Sequence, residues 1–149
     1  MSVPWVLLVP AGAPIARSAH PPTLAQIGRL PLIGTQSRTV EPWMTGVPAA
    51  ELGKPRIVFR SDSPQTVQAL VGAGVGAAVV PRLAVTEADP RITAIDLSEV
   101  LGAASIGAVW LRENEPSGAV GQFLELLLEI CAVLERKPAP SEPALAGRA

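Results

Sequence analysis

Apolar residues recur along the chain in short runs, broken by polar, glycine-rich and proline-rich connections, and this pattern predicts strands alternating with helices. The clearest instance spans residues 56–83, RIVFRSDSPQTVQALVGAGVGAAVVPRL. Ile57, Val58 and Phe59 form a β-branched and aromatic run of the kind used by a buried strand, and Ser61, Asp62 and Ser63 stop it with side chains that favour turns and caps. Pro64 suits the first helical position, because its φ is fixed and its missing N–H would have been unpaired there; Ser63 is then the natural N-cap. Val67, Leu70, Val71 and Gly74 follow at i, i+3, i+4 and i+7, giving one apolar stripe, with Gly72 and Gly74 offering a left-handed exit. Residues 75–80 read as the next buried strand, ended by Pro81.

Elsewhere the pattern is shorter. Residues 5–9 read as an apolar strand. Thr23 and Gln26 have capping-box spacing for a brief helix carrying Leu24 and Ile27, which Gly28 ends or frays. Leu32, Ile33 and Gly34 read as a strand end opening into the polar loop 35–39, and residues 41–44 as a helical turn. Residues 83–88 read as a short helix, 92–97 as an alternating strand, 98–104 as a connection and 106–111 as the last strand. From Gly118 the apolar residues Phe123, Leu127, Ile130, Cys131 and Leu134 recur at helical spacing, with Glu125, Glu129 and Arg136 opposite. Leu124 and Leu128 widen that stripe and imply burial against more than one neighbour. Residues 137–149 mix Pro, Ala, Ser and Glu without a period and are expected to be a disordered tail. Strands alternating with helices through short loops predict an α/β layer structure with a mainly parallel sheet.

Composition narrows the function. Hydrophobic residues make up 48% and charged residues 17% of 149 positions, within the globular range and enough for a sizeable core. A formal net charge of −1 and the absence of a basic run interleaved with aromatics argue against direct nucleic-acid binding. The N-terminal apolar stretch has no basic region before it and is far shorter than the roughly 20 residues that span a bilayer, so neither a signal peptide nor a membrane span is expected. One cysteine forbids an intrachain disulfide, and one histidine leaves a zinc site short of ligands. A reducing cytoplasm fits this usage, and no cofactor is expected.

Ligands on open α/β sheets bind outside the carboxyl ends of strands, near helix N-termini. Two loops answer that description: Thr35, Gln36, Ser37 and Arg38, with Arg38 as the cationic candidate, and Ser61, Asp62 and Ser63. A helix start suits a carboxylate. The charge of Asp62 opposes one unless it points away, and the plainer alternative is that Ser63 only caps the helix, worth about 1 kcal/mol. A solvated loop is the plainer alternative for residues 35–38. Gly72, Gly74 and Gly76 do not make a dinucleotide fingerprint, which needs a strand before the glycines and a helix after them. His20 lies in a turn with no nucleophile motif nearby, Cys131 falls on the apolar stripe of the last helix, and of Trp5, Trp43 and Trp110 only Trp43 is placed near a crevice. No catalytic constellation emerges.

Four segments together resemble the effector-binding region of LysR-type bacterial transcriptional regulators over residues 6–128. LLVPAGAPIA resembles the family's strand crossing into its second regulatory subdomain, and LPLIG its next strand. FRSDSPQTVQALVGAGVGAAVVPRL resembles the segment typical of that subdomain, and IGAVWLRENEPSGAVGQFLELL the returning strand and final helix. The resemblance implies an α/β fold like that of type 2 periplasmic binding proteins, with one complete subdomain plus the crossing strands and C-terminal helix of the other. An effector-binding region over residues 3–136 would comprise the second subdomain at 9–107 and remnants of the first at 3–8 and 108–136.

By the same resemblance the chain is expected to be a truncated regulator, lacking the winged helix-turn-helix head and the opening half of the first subdomain. It would be a non-enzymatic sensor for a small molecule, reaching DNA only through the missing head. Two consequences are expected: an apolar face over residues 123–134 left exposed or paired with another copy, and weak effector affinity from a crevice short of one wall. The alternatives are a solute-binding protein or enzyme of the same fold, or an inert remnant of a disrupted gene.

Overall fold

Strand β1 (Ser2–Pro10) carries four consecutive buried residues, Val6, Leu7, Leu8 and Val9, as expected of a strand covered on both faces. Because side chains alternate across a strand, Leu7 and Val9 enter one core cluster with Ile27, Leu32, Trp43 and Leu97, whereas Val6 and Leu8 enter a second with Ile33, Val67 and Val71. These positions come from a computed structural model that describes residues 1–36, 41–85 and 89–136. The residues group into two compact units, Val3–Ala104 and a second made of Met1–Ser2 with Ser105–Ala149. The tail expected at 137–149 and the end of the helix expected at 83–88 lie outside the described residues; a 3₁₀ turn occupies Arg82–Ala84.

In the larger unit β1 pairs antiparallel with β4 (Ala78–Pro81) on one side and β5 (Ile92–Asp96) on the other, in the registers Leu7–Val79 and Leu7–Ile95. Strand β2 (Pro31–Gly34) pairs parallel with β3 (Arg56–Arg60). A parallel bridge between Leu32 and Ala77 joins the two sets, closed by Ile33 N–H to Ala77 O and Ala77 N–H to Pro31 O, both at 2.8 Å. The strands therefore run in the order β3-β2-β4-β1-β5. This sheet is mixed, not mainly parallel as the alternation of elements predicts: periodicity reports which faces are buried and carries no information on strand direction. Strand β3 departs further, since it pairs only through β2 and leaves Val58 and Phe59 exposed at 37% and 45%. Its β-branched and aromatic run marks an edge strand, not a buried one.

The helices start where their caps place them. Thr23 and Gln26 form a reciprocal capping box at the head of α1 (Leu24–Arg29). Ser63 accepts the Thr66 N–H at the head of α3 (Pro64–Gly72). Helix α3 ends in a Schellman motif: Gly74 takes φ +77°, its N–H bonds Val71 O at 2.9 Å, and Val75 N–H reaches back to Leu70 O at 3.0 Å. Val75 is thus part of the cap, so the strand expected from residue 75 begins later, and Gly72 stays within the helix.

Gly28 does not end α1, which continues to Arg29; it lets α1 meet α2 (Ala49–Leu52), because a Cβ at this position would collide with the backbone carbonyl of Leu52. Gly28→Ala is therefore expected to force the two helices apart and lower stability by about 1–3 kcal/mol in a urea titration. A midpoint equal to that of the unsubstituted protein would contradict this contact.

Beyond β5 come α4 (Ser98–Leu101) and a short β6 (Ala103–Ser105), which pairs with β1. The strand expected at 106–111 is absent among the described residues, where Ile106 exchanges backbone hydrogen bonds with Met1 and Val109 is 95% exposed. An apolar run becomes a strand only where a neighbour accepts its ladder. Helix α5 (Gly118–Arg136) is present as expected, with Ser2 N–H bonded to Glu135 Oε1 at 2.8 Å. The apolar face of α5 is open, with Phe123 65% and Leu128 61% exposed, while Cys131 is half-buried.

Candidate functional site

Strands β2 and β3 run parallel, so their carboxyl ends, Gly34 and Arg60, lie side by side where the chain turns toward Thr35 and Ser61. Ser61 N–H bonds Gly34 O at 3.0 Å and ties the two exits together. A cavity of about 200 Å³ opens at this edge. Its wall joins apolar side chains, chiefly Leu8, Ile33, Val67, Val79 and Val80, to the polar residues Thr35, Glu41, Ser61, Asp62 and Gln68. An apolar body with a few convergent polar groups is the usual make-up of a small-molecule site.

The sequence-expected residues divide into three groups. Thr35, Ser61 and Asp62 line the cavity. Gln36 is drawn to it through its backbone, donating its N–H to Asp62 Oδ1 at 2.9 Å, whereas Ser63 caps α3 and is not part of the wall. Ser37 and Arg38 lie outside the described residues. Trp43, expected near a crevice, instead packs in the core with Leu7 and Leu32 at 5% exposure, because the 3₁₀ turn Pro42–Met44 aims it inward.

Two wall residues escaped the sequence reading. Glu41 is 4% exposed, and its carboxylate accepts the Thr35 N–H at 3.0 Å on each oxygen and the Thr35 hydroxyl at 3.1 Å. Arg60 Nη1 donates to Glu41 Oε1 at 3.1 Å and to Thr35 O at 2.7 Å. Gly34 makes room for this carboxylate, since a Cβ there would strike Glu41 Oε1. Gln68, 8% exposed, donates its amide to Pro64 O and Ala84 O, linking helix α3 to the Arg82–Ala84 turn. The available signals were an acid set between Val40 and Pro42-Trp43, and a glutamine on the apolar stripe of α3 between Val67 and Val71.

A second cavity, of about 390 Å³, lies among Pro14, Ile15, Gln26, Arg29 and Leu30, away from the carboxyl ends of β2 and β3. It is larger and includes Ser18, Gln26 and Arg29 in its wall, but it does not lie outside the carboxyl ends of parallel strands, so the strand-end cavity is the better candidate. Remote from both, Arg91 clasps Asp89 through its side chain and holds that carboxyl down at about 2. Among the described residues no group of His, Cys, Asp and Glu could hold a metal ion, and no helix is long and apolar enough to cross a membrane.

The fold has counterparts among solved structures. The chain is similar to HinK, a LysR family transcriptional regulator from Pseudomonas aeruginosa, with a TM-score of 0.68 and 21% identity over 86% of this chain and 45% of that one. The C-terminal domain of a probable LysR family regulator from Rhodococcus sp. RHA1 gives 0.66 and 20% over 86% and 64%. The regulatory domain of CcmR from Synechocystis PCC6803, solved in complex with 2-PG, gives 0.66 and 18% over 93% and 66%. The chain thus spans 45% of the first of these structures and 64% of the second. No curated protein matches it. A family model, the LysR substrate binding domain, matches residues 1–132, and the chain belongs to that family, with its periplasmic-binding-protein-like α/β fold.

Proposed function

We propose that this chain is the small-molecule-sensing portion of a LysR-type transcriptional regulator, and that the cavity at the carboxyl ends of β2 and β3 holds its effector. The observation that carries the reading is the convergence of Thr35, Glu41, Ser61 and Asp62 over an apolar floor at that sheet edge, in a chain of this family. In an intact regulator, effector binding would shift the balance between subdomain arrangements and so couple a metabolite to DNA binding. Residues 3–136 would form the effector-binding region, with 9–107 as the second subdomain and 3–8 and 108–136 belonging to the first. The family is not one of enzymes, and the chain's role is binding without catalysis, in the cytoplasm. Homo-oligomer formation is supported by the open apolar face of α5. The hydroxyl-rich loops and the start of α3 would admit a carboxylate effector.

Thermal unfolding in the presence of a panel of small carboxylates, amines and aromatics tests the reading. A ligand at a hundred times its dissociation constant adds about 2.7 kcal/mol, a rise of several degrees. The rise is expected to vanish in Ala84→Phe, which adds a ring to the cavity wall. A panel without effect, or stabilisation that survives this substitution, would contradict the assignment.

A further inference from the structure

We infer that Gln68 is a positioning residue that sets the width of the strand-end cavity and so restricts its guest to a single ring or a short branched chain; the inference rests on the reading of this cavity as the effector site. Position 68 lies on the buried face of α3 with Val67 and Val71, where an aliphatic side chain would pack without a polar cost, yet it carries an amide that is 8% exposed. A buried amide is unfavourable unless its hydrogens find acceptors. This one is placed to find two: Nε2 donates to Pro64 O at 3.3 Å and to Ala84 O at 3.4 Å, one hydrogen for each carbonyl. The first bond stays within α3. The second crosses to the Arg82–Ala84 turn.

Both elements contribute wall to the cavity. Helix α3 supplies Pro64, Val67 and Gln68, and the chain leading into the turn supplies Val80, Pro81 and Ala84. Val67 and Val71 also pack in one cluster with Val80 and Val85, which draws helix and strand together. Contact of that kind is non-directional, and the two elements could part when a guest intrudes. The amide bond is directional. At 3.4 Å it is long, so its hold lies less in its own strength than in the cost of parting the walls, which would leave a buried amide donor without one of its acceptors. The cavity therefore resists widening along the line from α3 to the turn. Its volume of about 200 Å³ is small for a ligand site, and a fixed width then excludes a fused second ring.

Phenol and 2-naphthol are matched neutral probes of one ring and two. In a cavity free to widen, 2-naphthol binds tighter because it buries more apolar surface. Calorimetry on the full chain is expected instead to favour phenol by at least about threefold. Gln68→Ala and Gln68→Met should both reverse that order, moving the ratio of affinities by about tenfold or more; Met keeps the bulk of Gln and removes the bonds. Ala84→Phe should abolish binding of both probes. Tighter binding of 2-naphthol by the unsubstituted chain would overturn the inference and leave the effector site standing. So would a preference for phenol that survives in Gln68→Met, which would make bulk alone the gauge, or an equal weakening of both probes, which would mark general damage. Failure of both probes to bind the unsubstituted chain and both Gln68 variants, or binding untouched by Ala84→Phe, would overturn the site itself and the inference with it.

Discussion

Leu7→Ala is expected to lower stability by about 3 kcal/mol, enough to move the midpoint of thermal unfolding down by roughly 10 °C. Leu7 is fully buried at the middle of β1, the strand to which β4 and β5 both attach, and it sits in the cluster of Ile27, Leu32, Trp43 and Leu97. Truncation would remove its transfer free energy and leave a cavity that two flanking strands, fixed by their ladders, cannot close. Val58→Ala is the companion measurement. Val58 is comparably apolar but stands 37% exposed on edge strand β3, so its truncation should cost less than about 1 kcal/mol. Equal losses from the two substitutions would mean that β1 is not the centre of this sheet.

Glu41→Ala is expected to cost about 2 kcal/mol and to loosen the Thr35 loop, because a buried carboxylate there organises the exit of β2. Removing it strands the Thr35 N–H and hydroxyl without their acceptor. The Arg60 side of the pair is weaker: its side chain is 38% exposed and the contact is partly screened by solvent, and Arg60→Ala leaves Glu41 still bonded to the Thr35 N–H and hydroxyl, so it should cost about 1 kcal/mol or less. The double variant should lose less than the sum, since both substitutions break the same 3.1 Å contact. Denaturant midpoints read these differences. Arg60→Ala as costly as Glu41→Ala would show that the ion pair, not the backbone anchoring, is the dominant role of Glu41.

Sequence alone made the punctuation of the larger unit legible wherever one residue type answers one local need. Thr23 with Gln26, Ser63 with Pro64, and Gly74 each satisfy a helix end, and each is found in that role. Strand direction was not legible, because burial on both faces of β1 writes the same apolar run whichever way its neighbours point. The segment 106–111 illustrates a second limit, since a β-branched and apolar run states a capacity for pairing and not the presence of a partner. For the site, Thr35, Ser61 and Asp62, singled out by their loop chemistry, line one cavity. Glu41 was missed because a lone acid beside a proline reads as solvent-facing, and only the folded chain shows it turned back onto the N–H of Thr35.

Mapping amide chemical shifts during titration with a bound small molecule tests the assignment of the effector site most directly. The largest changes are expected on Gly34, Thr35, Ser61, Asp62, Val67 and Gln68, which line one cavity. Changes centred instead on Ile15, Gln26 and Leu30, around the second cavity, would contradict it.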